Sequence, residues 1–84
     1  MDVIFLPNGW QDYQYWIDMD IKHFRKINKL IKECQRTPFQ GTGKPEPLKN
    51  ELSGWGSRRI DREHRLVYRV KHGVLEIAQC RHYY

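Results

Sequence analysis

Glu46 sits between Pro45 and Pro47, and a residue that precedes proline is driven out of the helical region into extended backbone. A carboxylate carried on so stiff a stretch is held in place, which is what a general base requires. Lys44 and Lys49 flank it and favour its ionised form by opposite-charge attraction. Further on, Arg58-Arg59, Arg65 and Arg69 supply guanidinium groups, and the sequence closes with Arg81-His82-Tyr83-Tyr84, an imidazole beside two phenols. Arginine forks bind phosphate, histidine can pass a proton, and tyrosine stacks on bases. Singly, each has a plainer reading: an exposed loop glutamate, a solvated cation, an aromatic cap on the core. Together they match the requirements of metal-free RNA cleavage.

Positioning these groups falls to two helices and a sheet. Val3 to Leu6 is a short apolar run ended by Pro7, which suits a buried strand. Asn8 is the expected N-cap of a first helix, with Gln11 in the capping-box position. Trp10, Tyr13, Trp16 and Ile17 fall on one face of that helix. Asp18 and Asp20 interrupt the chain before a longer helix reaching about Arg36. Its apolar residues Ile21, Phe24, Ile27, Leu30, Ile31 and Cys34 gather on one side, and Lys22, Arg25, Lys26, Lys29 and Lys32 on the other. That basic side is either a solvated surface or a track for a nucleic-acid backbone.

Thr37 to Pro47, with its glycines and prolines, reads as a loop. Strands are expected at Ser57–Asp61, His64–Val70 and Val74–Arg81, with a turn near Arg62-Glu63 and a two-residue hairpin loop at His72-Gly73. A regular hairpin pairs Lys71 with Val74, Arg69 with Glu76, Val67 with Ala78 and Arg65 with Cys80. It puts Leu66, Tyr68, Val70, Leu75 and Ile77 on the helix-facing side, and Arg65, Arg69, Glu76 and His82 on the other. Arg58 and Arg59 point to opposite faces, so at most one of them joins Arg65. The expected class is α+β: two N-terminal helices packed on a small, mainly antiparallel sheet.

An 84-residue chain is one domain with one modest core. Its net charge of +5 favours polyanionic partners. Cys34 and Cys80 show neither a disulfide framework nor zinc spacing, so reduced thiols in the cytoplasm are the simpler reading. No acidic cluster suited to Mg²⁺ is present. No window approaches the about 18 apolar residues of a membrane span, and Asp2 opens the chain in place of a basic leader. Export and membrane insertion are therefore not expected.

The blocks Lys44-Pro45-Glu46-Pro47-Leu48-Lys49, Leu52-Ser53-Gly54, Ser57-Arg58-Arg59-Ile60 and Glu63-His64-Arg65-Leu66-Val67-Tyr68 resemble the YoeB (Txe) toxins of the RelE superfamily. The likeness covers nearly the whole chain, including Trp10, Tyr13, Trp16 and Arg36-Thr37-Pro38-Phe39. It implies a RelE-like, microbial-RNase-like fold and a ribosome-dependent messenger-RNA endonuclease needing no cofactor. It also implies a YefM-type antitoxin partner and leaves a homodimer open. By the same resemblance Glu46 acts as general base on the ribose 2′-OH, and Arg65 stabilises charge on the phosphate. Lys49 and Arg59 contact the RNA, with Lys44 beside them. A terminal group drawn from His82, Tyr83 and Tyr84 protonates the leaving oxygen. Two departures stand out. The family usually ends His-Tyr, whereas here Tyr83 occupies the histidine position and His82 comes one residue earlier. Gly56 replaces a usually bulky residue before Ser57, which suits a softer or bulged strand.

Two other readings compete with the nuclease. A non-catalytic nucleic-acid-binding module would share the charge but tolerate loss of Glu46. A ParE-like toxin directed at DNA gyrase would share the fold without needing Glu46, Arg65 or the terminal group.

Overall fold

The computed structural model describes residues 1–82. In chain order it has β1 (Asp2–Phe5), α1 (Pro7–Met19), α2 (Ile21–Arg36), β2 (Glu46–Pro47), a 3₁₀ turn (Asn50–Leu52), β3 (Gly56–Arg59), β4 (Arg65–Lys71) and β5 (Val74–Gln79). The five strands form one sheet in the order β1-β5-β4-β3-β2. The β1–β5 pair is parallel and the other three are antiparallel, so the expected α+β class with a mainly antiparallel sheet holds. β1 is an edge strand rather than a buried one, and Ile4 faces outward.

The first helix begins two residues earlier than its capping signal indicates. Pro7 occupies the first turn and Leu6 is the N-cap, without a side-chain cap. Proline's fixed φ suits that position, and the N–H it lacks would have had no helical partner anyway. Asp20 ends α1 and caps α2: its carboxylate accepts the backbone N–H groups of Lys22 and His23 at 3.0 and 3.4 Å. The helices therefore meet at a single residue.

Ile27, Leu30, Ile31 and Cys34 of α2 are buried with Trp16 of α1 against Leu66, Tyr68, Leu75 and Ile77 of the sheet. Of the four residues expected on the core face of α1, Trp16 is buried while Trp10 and Ile17 stay about half exposed. α1 lies so close to β5 that a Cβ on Gly9 would sit 2.4 Å from the Ile77 carbonyl oxygen. Gly9→Ala is therefore expected to push helix and sheet apart and cost about 1–3 kcal/mol, read as a lower thermal unfolding midpoint.

The β4–β5 hairpin turns through His72 and Gly73, both at positive φ (53° and 74°), as a two-residue loop of the primed type demands. Lys71 pairs with Val74, Arg69 with Glu76 and Tyr68 with Ile77 as the regular register predicts, but Val67 then pairs with Gln79. The expected Val67–Ala78 and Arg65–Cys80 pairs do not form. A bulge places two residues of β5 opposite one of β4, and beyond it the alternation of faces reverses. Cys80, expected beside Arg65, is instead fully buried in the core. Among the described residues no helix is long and apolar enough to cross a membrane.

Candidate active site

Glu46 and Pro47 do not belong to a loop, as their composition implied, but form the short edge strand β2. Glu46 stands opposite Ser57 and Pro47 opposite Gly56. An edge strand tolerates proline because its outer N–H side has no ladder partner to lose. Antiparallel pairing carries the arrangement inward: Ser57 faces Val67 and Arg59 faces Arg65. Glu46, Ser57, Arg59 and Arg65 thus share the face turned away from the helices.

There the Arg65 side chain, 6% exposed, places Nη1 3.2 Å from Glu46 Oε1, and the Glu46 side chain is 50% exposed. The same Nη1 donates to Ser57 Oγ at 3.1 Å. The guanidinium is therefore fixed from below by a fully buried serine, while the carboxylate it meets faces solvent. A base within reach of an incoming hydroxyl and a cation within reach of the phosphate beside it are what this pair offers. Two residues along the same face, Arg69 meets Glu76 at 2.5 Å, as the hairpin register predicts. Its guanidinium carbon lies 4.2 Å from the Trp55 ring centroid. Arg59, Lys44 and Lys49 are all exposed. A cleft of about 280 Å³ wraps the same sheet edge, walled by Phe39, Pro45, Pro47, Trp55, Tyr68 and Val70. Gly56 also lines it, and a Cβ there would lie in ordinary contact, 3.5 Å from the tip of the Tyr68 ring.

Arg58 takes the opposite side of β3 and is fully buried. It donates to the carbonyl oxygens of Thr37, Gln40 and Thr42 at 2.6, 2.7 and 3.2 Å and to Tyr68 Oη at 3.3 Å. Glu33 lies 3.6 Å away. With the Arg59 N–H donated to Gly43 O at 2.7 Å, these bonds seat the 37–43 loop on β3. That loop leads directly into Lys44 and Glu46. Arg58 is thus the structural member of the arginine pair.

The C-terminal segment is also tied down. Cys80 N–H donates to Asp12 Oδ2 at 3.1 Å, and the Trp16 indole N–H donates to Cys80 O at 2.8 Å. The Arg81 guanidinium lies 3.5 Å from the Tyr15 ring centroid. His82 is exposed, at φ 65°, with its ring centroid 5.8 Å from that of His64. The expectation that regular alternation sets His82 on the Arg65 face is corrected by the bulge and by this left-handed residue, which ends the extended run. Tyr83 and Tyr84 lie outside the described residues.

His23 braces the turn between β3 and β4. Its ring stacks on Trp16 at 4.5 Å and is held between Asp20 at 2.7 Å and Asp61 at 2.5 Å. The hydrogen bond to Asp61, more than the one to Asp20, raises its pKa against the opposing effect of burial. Burial pulls Asp20 and Asp61 upward, but hydrogen bonds from His23 and nearby backbone N–H groups outweigh it and lower both. The signs set a window. The His23 contribution is complete below its unfolded value of about 6.5 and is lost as pH rises through the higher folded value. The carboxylate contributions are complete above about 3.9 and are lost as pH falls through the lowered values. Thermal unfolding across pH should show a wild-type midpoint that declines on the alkaline side of this window and a flatter profile in His23→Gln.

Burial pushes the Cys34 thiol up to about 11 and the Cys80 thiol up to about 12, so neither is a ready nucleophile. Ser57, His64 and Asp12 were not legible as site residues. Each acts through a cross-strand or helix-to-sheet hydrogen bond that no local spacing encodes.

A profile of the YoeB-like toxins of bacterial type II toxin–antitoxin systems matches residues 5–84. The chain is 55% identical to Toxin YoeB of Escherichia coli K12 over 84 residues, covering 100% of both. Among solved structures, a YoeB/ParE toxin from Agrobacterium tumefaciens superposes with a TM-score of 0.98 at 48% identity, covering 100% of both chains. Two from Staphylococcus aureus each give a TM-score of 0.92, covering 100% of this chain and 98% of the other. One is a YoeB–YefM complex at 42% identity and the other a YoeB dimer at 44%.

Proposed function

The chain belongs to the YoeB-like toxin family of bacterial type II toxin–antitoxin systems, and we propose that it is an endoribonuclease that cuts messenger RNA in the ribosomal A site. One observation supports this above the rest: a half-exposed carboxylate on proline-stiffened backbone stands 3.2 Å from a guanidinium that is buried and tethered to Ser57. Neither a gyrase-directed toxin nor a simple binding module needs such a pair.

Glu46 takes the proton of the ribose 2′-OH, and O2′ attacks the adjacent phosphorus as the P–O5′ bond breaks. Arg65 stabilises the negative charge that builds on the non-bridging oxygens, where a preorganised donor is worth most. His82 or Tyr83 gives a proton to the departing O5′, with Tyr84 completing the terminal group. The products carry a 2′,3′-cyclic phosphate and a 5′-hydroxyl. RNA and side chains supply every atom and proton, so the step requires no metal. Lys44, Lys49 and Arg59 hold the RNA backbone, and the basic side of α2 serves docking to ribosomal RNA, both through salt-dependent phosphate contacts.

The Staphylococcus aureus relative is found as a YoeB–YefM complex and as a YoeB dimer. We extend both to this chain: a YefM-type antitoxin as inhibitor, and self-association in its absence. The place of action is the cytoplasm, where ribosomes translate.

Purified ribosomes programmed with a defined messenger RNA test the reading. The expected result is a cut in the A-site codon with cyclic-phosphate and 5′-hydroxyl ends, absent without ribosomes and blocked by a YefM-type antitoxin. A well-folded protein that leaves the message whole, or leaves 5′-phosphate ends, would contradict it. In the same assay His82→Ala and Tyr83→Phe identify the acid: the variant lacking the donor should cleave about 10²-fold or more slowly. Full cleavage by both would remove the terminal residues from the mechanism.

A further inference from the structure

The backbone of His82 is held at both its polar groups by two consecutive residues of one strand end. The His82 N–H donates to Nδ1 of His64 at 2.8 Å, and the His82 carbonyl accepts the N–H of Arg65 at 3.0 Å. The side chain of that same Arg65 makes the Glu46 pair. The base, the phosphate-binding cation and the last residue before the terminal tyrosines are thus all referenced to His64-Arg65.

His64 is well placed for this task because its own position is over-determined. Its N–H donates to Asp61 Oδ1 at 2.8 Å, and its carbonyl accepts the N–H groups of Ile60 and Asp61 at 3.0 and 3.3 Å. Its ring packs edge-on against Trp16 at 4.8 Å, and Trp16 in turn holds Cys80. An amide nitrogen can only donate, so His64 Nδ1 must present its lone pair and the ring proton must sit on Nε2. Nε2 lies 3.9 Å from the Glu63 carboxylate, which favours that tautomer. The motif Glu63-His64-Arg65 thereby acquires a role for the member that the cleavage chemistry leaves unused.

We propose that His64 is a positioning residue for cleavage, its Nδ1 acceptor fixing the backbone of His82, a candidate proton donor, against the strand end that carries Arg65. This rests on the nuclease reading, and it predicts an effect on the chemical step rather than on binding. A displacement of about 1 Å at a reacting group can cost on the order of 10²-fold in rate.

Two variants separate the hydrogen bond from the ring. His64→Leu removes the acceptor, whereas His64→Asn puts an amide oxygen where Nδ1 stands; both lose the edge-on ring contact with Trp16. Single-turnover cleavage on ribosomes should fall roughly 10- to 100-fold in the leucine variant and recover in the asparagine variant, with the half-saturating ribosome concentration unchanged in both. His82 amide exchange should be slow in wild type and His64→Asn and fast in His64→Leu. Wild type carries its own test, needing no variant: ¹⁵N NMR should show a coupling across the hydrogen bond between the His82 amide nitrogen and an unprotonated His64 Nδ1. A protonated Nδ1, or asparagine no better than leucine in both readouts, overturns the proposal. An intact coupling in a wild-type protein that cuts no RNA would keep the anchor and sink the nuclease reading instead.

Discussion

Glu46→Gln should lower the single-turnover rate of ribosome-bound messenger-RNA cleavage by about 10²- to 10⁴-fold, the usual contribution of a positioned general base, while leaving the fold intact. Glutamine keeps the size of the side chain and an oxygen that can accept from Arg65, but it cannot take a proton from the 2′-OH. The lost ion pair matters little to stability, because half of the carboxylate side chain already faces water and such pairs are worth about 0–1 kcal/mol. A large fall in rate with an unfolding midpoint within a few degrees of wild type is the expected signature. A variant that cleaves at the wild-type rate would reduce Glu46 to an electrostatic neighbour of Arg65.

Arg58→Leu is expected to have the largest effect on stability, about 3–5 kcal/mol. The side chain is fully buried and bonds three loop carbonyls and the Tyr68 hydroxyl beside Glu33. Leucine would remove the guanidinium donor from those oxygens and the buried cation from beside Glu33. For a domain of this size the loss corresponds to a midpoint lower by about 12 °C or more. Activity should fall as well, since the loop that Arg58 seats leads into Glu46. Arg59→Ala is the control. Its side chain is exposed, and its contact with the loop runs through the backbone N–H to Gly43, so stability should change by no more than about 0.5 kcal/mol. Cleavage by Arg59→Ala should weaken with a shallower salt dependence if the residue holds a phosphate. Equal stability losses in the two variants would contradict the division of labour between the neighbouring arginines.

The parts of the site that were legible in the sequence are those set by local chemistry. The prolines around Glu46 announce extended backbone, and the hairpin at His72-Gly73 fixes its own register outward to Tyr68–Ile77. From these the Arg69–Glu76 pair and the separate faces of Arg58 and Arg59 follow directly. What failed depends on partners distant in sequence. Nothing around Ala78 marks the bulge, since neither a glycine nor a proline stands there, yet it reverses the faces of Cys80 and the residues beyond. The Asn8–Gln11 pair signalled a helix start that the chain does not use, because Pro7, read as the end of a strand, opens the helix instead. The pairing of β1 with β5 and of β2 with β3 joins segments at least eight residues apart, which periodicity does not reveal. The contacts of Ser57 with Arg65 and of His64 with His82 belong to the same class. The terminal pair Tyr83-Tyr84 lies outside the described residues, and its part in the mechanism rests on the family resemblance.

The most direct test of the central claim is a messenger RNA with a single 2′-deoxynucleotide on the 5′ side of the cleaved phosphate, presented on ribosomes to the wild-type protein. Because the attacking oxygen belongs to the RNA, ribosome binding should stay normal and no cut should form at that position. Cleavage at the normal rate would show that another nucleophile attacks, and would remove Glu46 from its assigned role as the base for the 2′-OH.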